Sequence, residues 1–261
     1  MYYVYNGRFL EYNEKIQSSP LSDGTMYGYG LFETIKITNH FPEYIEAHLK
    51  RLRKGLDALN IGCMYSDEKI KEYIKILIRK NGFNGALKIA VIKNKNLSDL
   101  IIMMKNSTYN YKDYQKGFNL TISSVLRNST AKLANYKTLN YLENLLEFKS
   151  AKAKGFDEVI FFNEKKHLAE GAITNIFLIK NQVLFTPMSG SGLLEGIMRN
   201  KVIEKSSYEV IEKDLRIEDI DTADEVFITN SLMRVMPVKS IEGTDYHQNN
   251  FEIIEKIRKE L

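Results

Sequence analysis

Hydrophobic positions along the chain follow two periods. Residues 2–5 and 8–10 are apolar-rich and flank Asn6-Gly7, a dipeptide that accepts the positive φ of a type I′ turn, so the chain opens on a predicted hairpin. Residues 31–38 read as a strand. Over 43–59, Ile45, Leu49, Leu52, Leu56 and Leu59 recur at three and four residues and predict an amphipathic helix. His48, Arg51 and Arg53 fall off its apolar face. Residues 67–79 predict a second such helix, with Ser66 as N-cap. Residues 86–92 and 100–105 are short, partly β-branched apolar runs and read as buried strands.

The polar stretch 106–116 has no apolar period and reads as a linker between two lobes. Residues 118–125 alternate as a strand, and 138–154 predict a helix ending at Gly155. Residues 158–162, 173–179 and 183–185 read as successive strands, and 193–206 as a helix. Short strands at 225–229 and 235–241 precede a terminal helix at 251–261. A loop containing Ser18-Ser19-Pro20 and Asp23-Gly24 joins the first hairpin to Gly28-Tyr29-Gly30. No internal repeat is visible. The mixture predicts an α+β (mixed α/β) protein in two lobes, 1–110 and 111–261.

Composition narrows the function classes. The chain has 261 residues and 44% hydrophobic positions, enough for a core and too many for a disordered segment. Lys and Arg total 37 against 33 Asp and Glu, a net +4 spread along the chain, which is no nucleic-acid signature. The Lys-rich residues 149–154 read as one solvated helix face. Cys63 is the one cysteine, so no internal disulfide forms, and the expected compartment is the reducing cytoplasm. His40, His48, His167 and His247 are too scattered to suggest a metal site. No apolar run approaches the roughly 18 residues of a membrane span, and no targeting segment is evident at the start.

Four places carry candidate chemistry. Lys137 stands in a loop just before a predicted helix, where a partly desolvated amine serves as a nucleophile or Schiff-base former. Glu170 lies beside Gly171 just before a predicted strand, where a carboxylate can hold a proton on a heteroaromatic nitrogen. The run Gly190-Ser191-Gly192-Leu193-Leu194-Glu195-Gly196 opens onto a predicted helix, an anion site made of free N–H groups and the positive helix end. It is neither a Walker motif nor a dinucleotide fingerprint. Arg51 is suited to bidentate phosphate contact. Taken singly, each has an ordinary reading as a solvated or turn residue.

In this order, the pieces resemble the fold-type IV pyridoxal-phosphate enzymes, the class IV aminotransferase family. The motifs are Gly-x-Gly-Leu-Phe-Glu-Thr at 28–34, His-Leu-Lys-Arg-Leu at 48–52 and Lys-Thr-Leu-Asn-Tyr-Leu at 137–142. They continue with Glu-Gly-Ala-Ile-Thr-Asn-Ile-Phe at 170–177, Leu-Glu-Gly-Ile-Met-Arg at 194–199 and Thr-Asn-Ser-Leu-Met-Arg-Val-Met-Pro-Val at 229–238. The resemblance implies pyridoxal 5'-phosphate as cofactor. It makes Lys137 the catalytic Schiff-base lysine and proton shuttle, and Glu170 the partner of the pyridine nitrogen. Arg51, the backbone of Ile197 and Met198, and the Ser231 hydroxyl match the phosphate ligands. Tyr141 stands close to a position where some members place a Tyr beside the ring hydroxyl, with a spacing from the Lys that differs by one. Asn175, in the same run as Glu170, joins the expected cofactor-binding set. The resemblance further implies a small N-terminal α/β lobe, a larger barrel-like C-terminal lobe carrying Lys137, cofactor between them, and a homodimer whose partner chain helps close the site.

Within the family, residues 230–238 look most like the lyases that convert 4-amino-4-deoxychorismate to 4-aminobenzoate and pyruvate, a reaction of folate biosynthesis. Branched-chain aminotransferases carry a Gly-Thr-Ala-Ala type of turn there. The Arg- and Gly-rich run that many lyases show after the third strand is replaced here by Ile92-Lys93-Asn94-Lys95-Asn96-Leu97-Ser98, and the Arg-x-His carboxylate trap of D-amino acid aminotransferases is absent. The expectation is a small-molecule amine substrate, acted on by a lyase. The alternatives are a class IV aminotransferase acting on branched-chain or other amino acids with a 2-oxo acid acceptor and, more distantly, a non-enzymatic cofactor-binding module.

Overall fold

In the computed structural model the chain divides into two units, Met1–Thr108 with Tyr136–Asn140, and Tyr109–Asn135 with Tyr141–Leu261. All residues are described except 17–18, 83, 107–108 and 247–250. Ser18, His247 and part of the predicted 106–116 linker therefore lie outside the described residues.

The first unit runs β1 (Tyr2–Tyr5), β2 (Arg8–Glu11), α1 (Asp23–Tyr27), β3 (Gly30–Thr38), β4 (Phe41–Pro42), α2 (Ile45–Ala58), α3 (Asp67–Asn81), β5 (Gly85–Asn94) and β6 (Leu97–Lys105). Among the described residues its strands form one antiparallel sheet in the order β2-β1-β6-β5-β3-β4. The opening hairpin turns at Asn6-Gly7 with both φ angles positive, as the dipeptide predicts. Helices α2 and α3 cover one face. Leu49, Leu52, Leu56, Ile70, Ile74 and Leu77 pack there against Ile35, Leu87, Ile89, Val91 and Ile102. Each such side chain contributes about 1.5–3 kcal/mol on burial. Ser66 caps α3 by accepting from the Lys69 N–H, and Gly82 closes it in the left-handed region.

The second unit contains α4 (Tyr111–Lys116), β7 (Phe118–Ile122), α5 (Leu142–Ala153), β8 (Glu158–Phe162), β9 (Leu168–Gly171), β10 (Asn175–Lys180) and β11 (Val183–Pro187). It continues with α6 (Ile197–Lys205), β12 (Val210–Lys213), α7 (Ile217–Asp221), β13 (Glu225–Asn230), β14 (Arg234–Ile241), β15 (Thr244–Asp245) and α8 (Glu252–Glu260). Its sheet runs β12-β11-β10-β13-β14-β7-β8-β9, with β15 against β14, and curls until β9 returns beside β10. The inner face is apolar, with Leu120, Ile160, Ile176, Leu178, Val226, Ile228 and Met236. On the outer face of β10 and β13, Phe177 stacks on Phe227 with ring centroids 4.7 Å apart, beneath Val202 of α6 and Phe251, Ile254 and Ile257 at the C-terminus.

Several sequence expectations shift. The polar 106–116 stretch winds into α4 at its end, because Asn110 and Asp113 form a reciprocal capping box that needs no apolar period. The helix predicted from 138 starts at Leu142. Residues 137–139 are held extended along β3, with Phe32 N–H donating to the Lys137 carbonyl at 2.9 Å and Leu139 N–H to the Gly30 carbonyl at 2.9 Å. Those bonds put the Lys137 segment in the first unit, whereas the sequence boundary placed it in the second lobe. The helix predicted from 193 starts at Ile197, and the four-residue strands β9 and β12 are too short for their period to register.

Candidate active site

In the first unit the site residues gather around Glu33 and Phe32, neighbours on β3 whose side chains point to opposite faces. Glu33 shares its face with Leu31 and Ile35, under α2, and is 1% exposed. Arg51 of α2 grips it bidentately, Nε donating to Oε1 at 2.8 Å and Nη2 to Oε2 at 2.6 Å. His48, also 1% exposed, meets Oε2 through Nδ1 at 2.6 Å. Burial opposes the Glu33 charge, but Arg51 and then His48 outweigh it and hold the carboxyl down at about 2. Burial also pushes the His48 imidazole down, favouring its neutral form. The expectation that His48 and Arg51 lie off the buried face is corrected here. An internal carboxylate gives both a polar partner beneath the helix.

On the opposite face, the Lys137 Nζ lies 4.5 Å from the centre of the Phe32 ring. Lys88 of β5, opposite Thr34 and diagonal to Phe32, brings its own Nζ to 4.4 Å from the same ring. Burial and then Lys105 push the Lys88 amine below its usual range. Two amines over one aromatic ring make a cationic, half-apolar patch suited to an anionic substrate group. Glu33, His48 and Lys88 were all missed by the sequence reading. Strand alternation was the available signal for Glu33, a charge at an inward position between Leu31 and Ile35.

In the second unit Glu170 and Asn175 meet at Leu194. Glu170 lies within β9, not just before a strand, and its Oε2 accepts from the Leu194 N–H at 2.9 Å. Asn175, first in β10, donates from Nδ2 to the Leu194 carbonyl at 2.8 Å. Tyr141 donates its hydroxyl to the Ala172 carbonyl at 2.7 Å. Burial, followed by Glu170 and Glu158, raises its phenol well above the ordinary value. Arg127 stacks 3.8 Å over the Phe161 ring, bonds Glu143 from Nη1 at 2.9 Å and holds Nη2 3.7 Å from Glu170 Oε1. Ile197 and Met198 form the first turn of α6, whose N-cap, Gly196, supplies no side-chain cap. Ser231 sits in the β13–β14 turn, where Asn230 Oδ1 accepts from the Leu232 and Met233 N–H groups at 2.9 and 3.0 Å.

These surroundings fit a phosphorylated aromatic cofactor. A side chain at Gly196 would run into Asn175 Oδ1, so the backbone at the start of α6 stays bare. Thr229 pairs with Asn175 across β13 and β10, so both side chains leave the sheet on the α6 side. Its Oγ1 is buried without a hydrogen-bond partner. Uncapped helix N–H groups, an orphaned hydroxyl and Ser231 make a donor set for an anion. Glu170, fixed by Leu194, is a carboxylate of the kind a ring nitrogen requires. Lys137 and Arg51 belong to the first unit. Among the described residues, no cluster of three or more His, Cys, Asp or Glu could hold a metal, and no helix is long and apolar enough to cross a membrane.

The family model for amino-transferase class IV matches residues 30–241. The aminodeoxychorismate lyase of Bacillus subtilis (strain 168) is 28% identical over 97% of this chain and 90% of its own length. A putative branched-chain-amino-acid aminotransferase of Methanocaldococcus jannaschii is also 28% identical, over 98% of this chain and 93% of its own. The structure of a branched-chain amino acid aminotransferase (T.th.) complexed with N-(5'-phosphopyridoxyl)-L-glutamate superposes with a TM-score of 0.87 at 25% identity, covering 99% of this chain and 93% of that one.

Proposed function

The chain belongs to the class IV aminotransferase family of pyridoxal-phosphate enzymes, and from that premise we propose that it is a lyase converting 4-amino-4-deoxychorismate to 4-aminobenzoate and pyruvate. The observation that carries the choice of reaction is the Asn230-Ser231-Leu232-Met233 turn. Its Asx geometry presents Ser231 in the lyase-like sequence context, in place of a Gly-Thr-Ala-Ala turn. The lyase relative from Bacillus subtilis supports the same reading. A substrate bearing carboxylates also suits the Lys88 amine over the Phe32 ring.

Pyridoxal phosphate, when bound, supplies an aldehyde for a primary amine and a ring that withdraws electrons from the adjacent carbon. The chain's own residues do the rest. Arg51, the N–H groups of Ile197 and Met198, and Ser231 hold the phosphate. Glu170 is the carboxylate partner of the ring nitrogen, held through Oε2 by the Leu194 N–H, with the Arg127 guanidinium near its other oxygen. Tyr141 and Asn175 would complete the set that holds the cofactor. Lys137 Nζ takes the proton from the amine-bearing ring carbon of the substrate. The enolpyruvyl oxygen then leaves the neighbouring carbon, the ring becomes aromatic, and the enolpyruvate takes up a proton to become pyruvate. Glu33 and His48 keep Arg51 in one orientation throughout. The second unit leaves Leu142, Leu145 and Leu146 exposed on α5, an apolar stripe suited to a second copy of this chain, and a homodimer is part of the reading.

The aminotransferase alternative has its own support in the Methanocaldococcus jannaschii relative. An amino acid supplied alone to the loaded protein separates the two. An aminotransferase converts the bound cofactor to its amine form, with loss of the visible band, and a 2-oxo acid restores it. The lyase reading predicts a band that single amino acids leave unchanged, and full reversible conversion would contradict it.

A further inference from the structure

Glu158 opens β8 and is fully enclosed, and strand alternation places it on the inner apolar face with Ile160 and Phe162. None of the roles above uses it. Its carboxylate accepts three hydrogen bonds. Oε1 takes the Val159 N–H at 2.9 Å, and Oε2 takes the Ile173 N–H at 3.3 Å and the Thr174 hydroxyl at 3.1 Å. The last two donors belong to the turn 171–174, which joins β9 to β10.

That turn is tightly built. Gly171 N–H donates to the Thr174 carbonyl at 2.8 Å, and Ala172 N–H to the Val159 carbonyl at 3.0 Å. A side chain at Gly171 would collide with Thr174 Oγ1 and crowd the Glu158 carboxyl. The Ala172 carbonyl accepts from the Tyr141 hydroxyl and from Asn144 Nδ2, each at 2.7 Å. Glu170 is the residue immediately before this turn and Asn175 the one immediately after it. One buried carboxyl thus anchors a turn flanked by Glu170 and Asn175 and bonded by Tyr141.

An ionisable group in apolar surroundings costs free energy that an aliphatic side chain would not. Burial pushes the Glu158 carboxyl up to about 7. An aliphatic side chain would leave the Ile173 N–H and the Thr174 hydroxyl without acceptors, and a carboxamide oxygen would serve them less strongly.

We propose that Glu158 is a positioning residue for Glu170 and Tyr141, locking the 171–174 turn from beneath so that both groups meet the cofactor ring in a fixed geometry. The proposal rests on the pyridoxal-phosphate reading. Glu225 is the control. It is a second enclosed carboxylate in the same unit, accepting from the Ile253 and Ile254 N–H groups at 3.3 Å each, with no bond to the turn.

The apo forms of wild type, Glu158→Gln, Thr174→Val and Glu225→Gln are titrated with pyridoxal phosphate. Each loaded form is then followed for the pH at which its visible band converts, and for its thermal midpoint. Glu158→Gln weakens uptake about tenfold, equivalent to about 1.4 kcal/mol, and displaces the band's pH midpoint. Thr174→Val moves both readouts the same way by less. Glu225→Gln lowers the thermal midpoint and moves neither. A Glu158→Gln protein with wild-type uptake and band midpoint overturns the proposal, as does one whose changes merely match those of Glu225→Gln. Should Glu158→Gln fail to fold, Thr174→Val decides by the same two readouts, and unchanged values there overturn it. A wild type that takes up no cofactor defeats the underlying assignment and this proposal with it, an outcome distinct from a wild type that loads normally beside an unaffected Glu158→Gln.

Discussion

Glu33 shows how much one internal charge can organise. Its carboxylate receives Arg51 through two bonds and His48 through a third, all beneath α2. Removing one member of such a buried set takes a counter-charge from groups already out of water, so Glu33→Gln is expected to cost about 3 kcal/mol in urea unfolding. The pH dependence has a definite sign. The folded carboxyl is held at about 2 against an ordinary 4.5, so its contribution is complete above 4.5 and is lost as pH falls toward 2. The wild type should lose stability across that window, and Glu33→Gln should show a flatter acid limb over the same range. Arg51, Glu170 and Lys137 stand out in the sequence because their types and order match a motif with a role attached. Glu33 and His48 lie in the same motifs but carry no role there, and Lys88 lies in none, because each reads as an ordinary polar residue until a facing strand or helix gives it a partner.

At the scale of elements, the start of α6 decides whether an anion can approach. Gly196 leaves the first-turn N–H groups uncapped, and Asn175 fills the space a side chain would take. Gly196→Ala is therefore expected to weaken pyridoxal phosphate uptake about tenfold, read by absorbance titration of the apo protein, while circular dichroism stays close to wild type. The long periodic elements were legible from the sequence. Helices α2 and α3 and strands β3, β5 and β6 lie where the apolar period puts them, within a few residues. The errors fall where a tertiary bond overrides local preference. Residues 137–139 are drawn out along β3, and 193–196 stay outside the helix because Leu194 is bonded through both its N–H and its carbonyl. β9, which carries Glu170, takes its conformation from pairing with β8 rather than from its own four residues.

At the scale of the molecule, the lone Cys63 and the scattered histidines leave little intrinsic redox or metal chemistry, and the reactive group is supplied by the cofactor. The α5 stripe bears on assembly. Leu142 and Leu146 are 68% and 56% exposed, one turn apart on the same side of the helix. Leu142→Lys combined with Leu146→Lys is expected to shift a sedimenting dimer toward monomer, and an unchanged dimer would place the interface elsewhere. The choice of reaction rests on a product assay. 4-Aminobenzoate and pyruvate released from 4-amino-4-deoxychorismate are followed for the cofactor-loaded wild type and for Lys137→Ala. Equal amounts of the two products are expected from the wild type and none from Lys137→Ala. A loaded wild type that releases neither product, while it exchanges amino groups between an amino acid and a 2-oxo acid, would refute the lyase assignment.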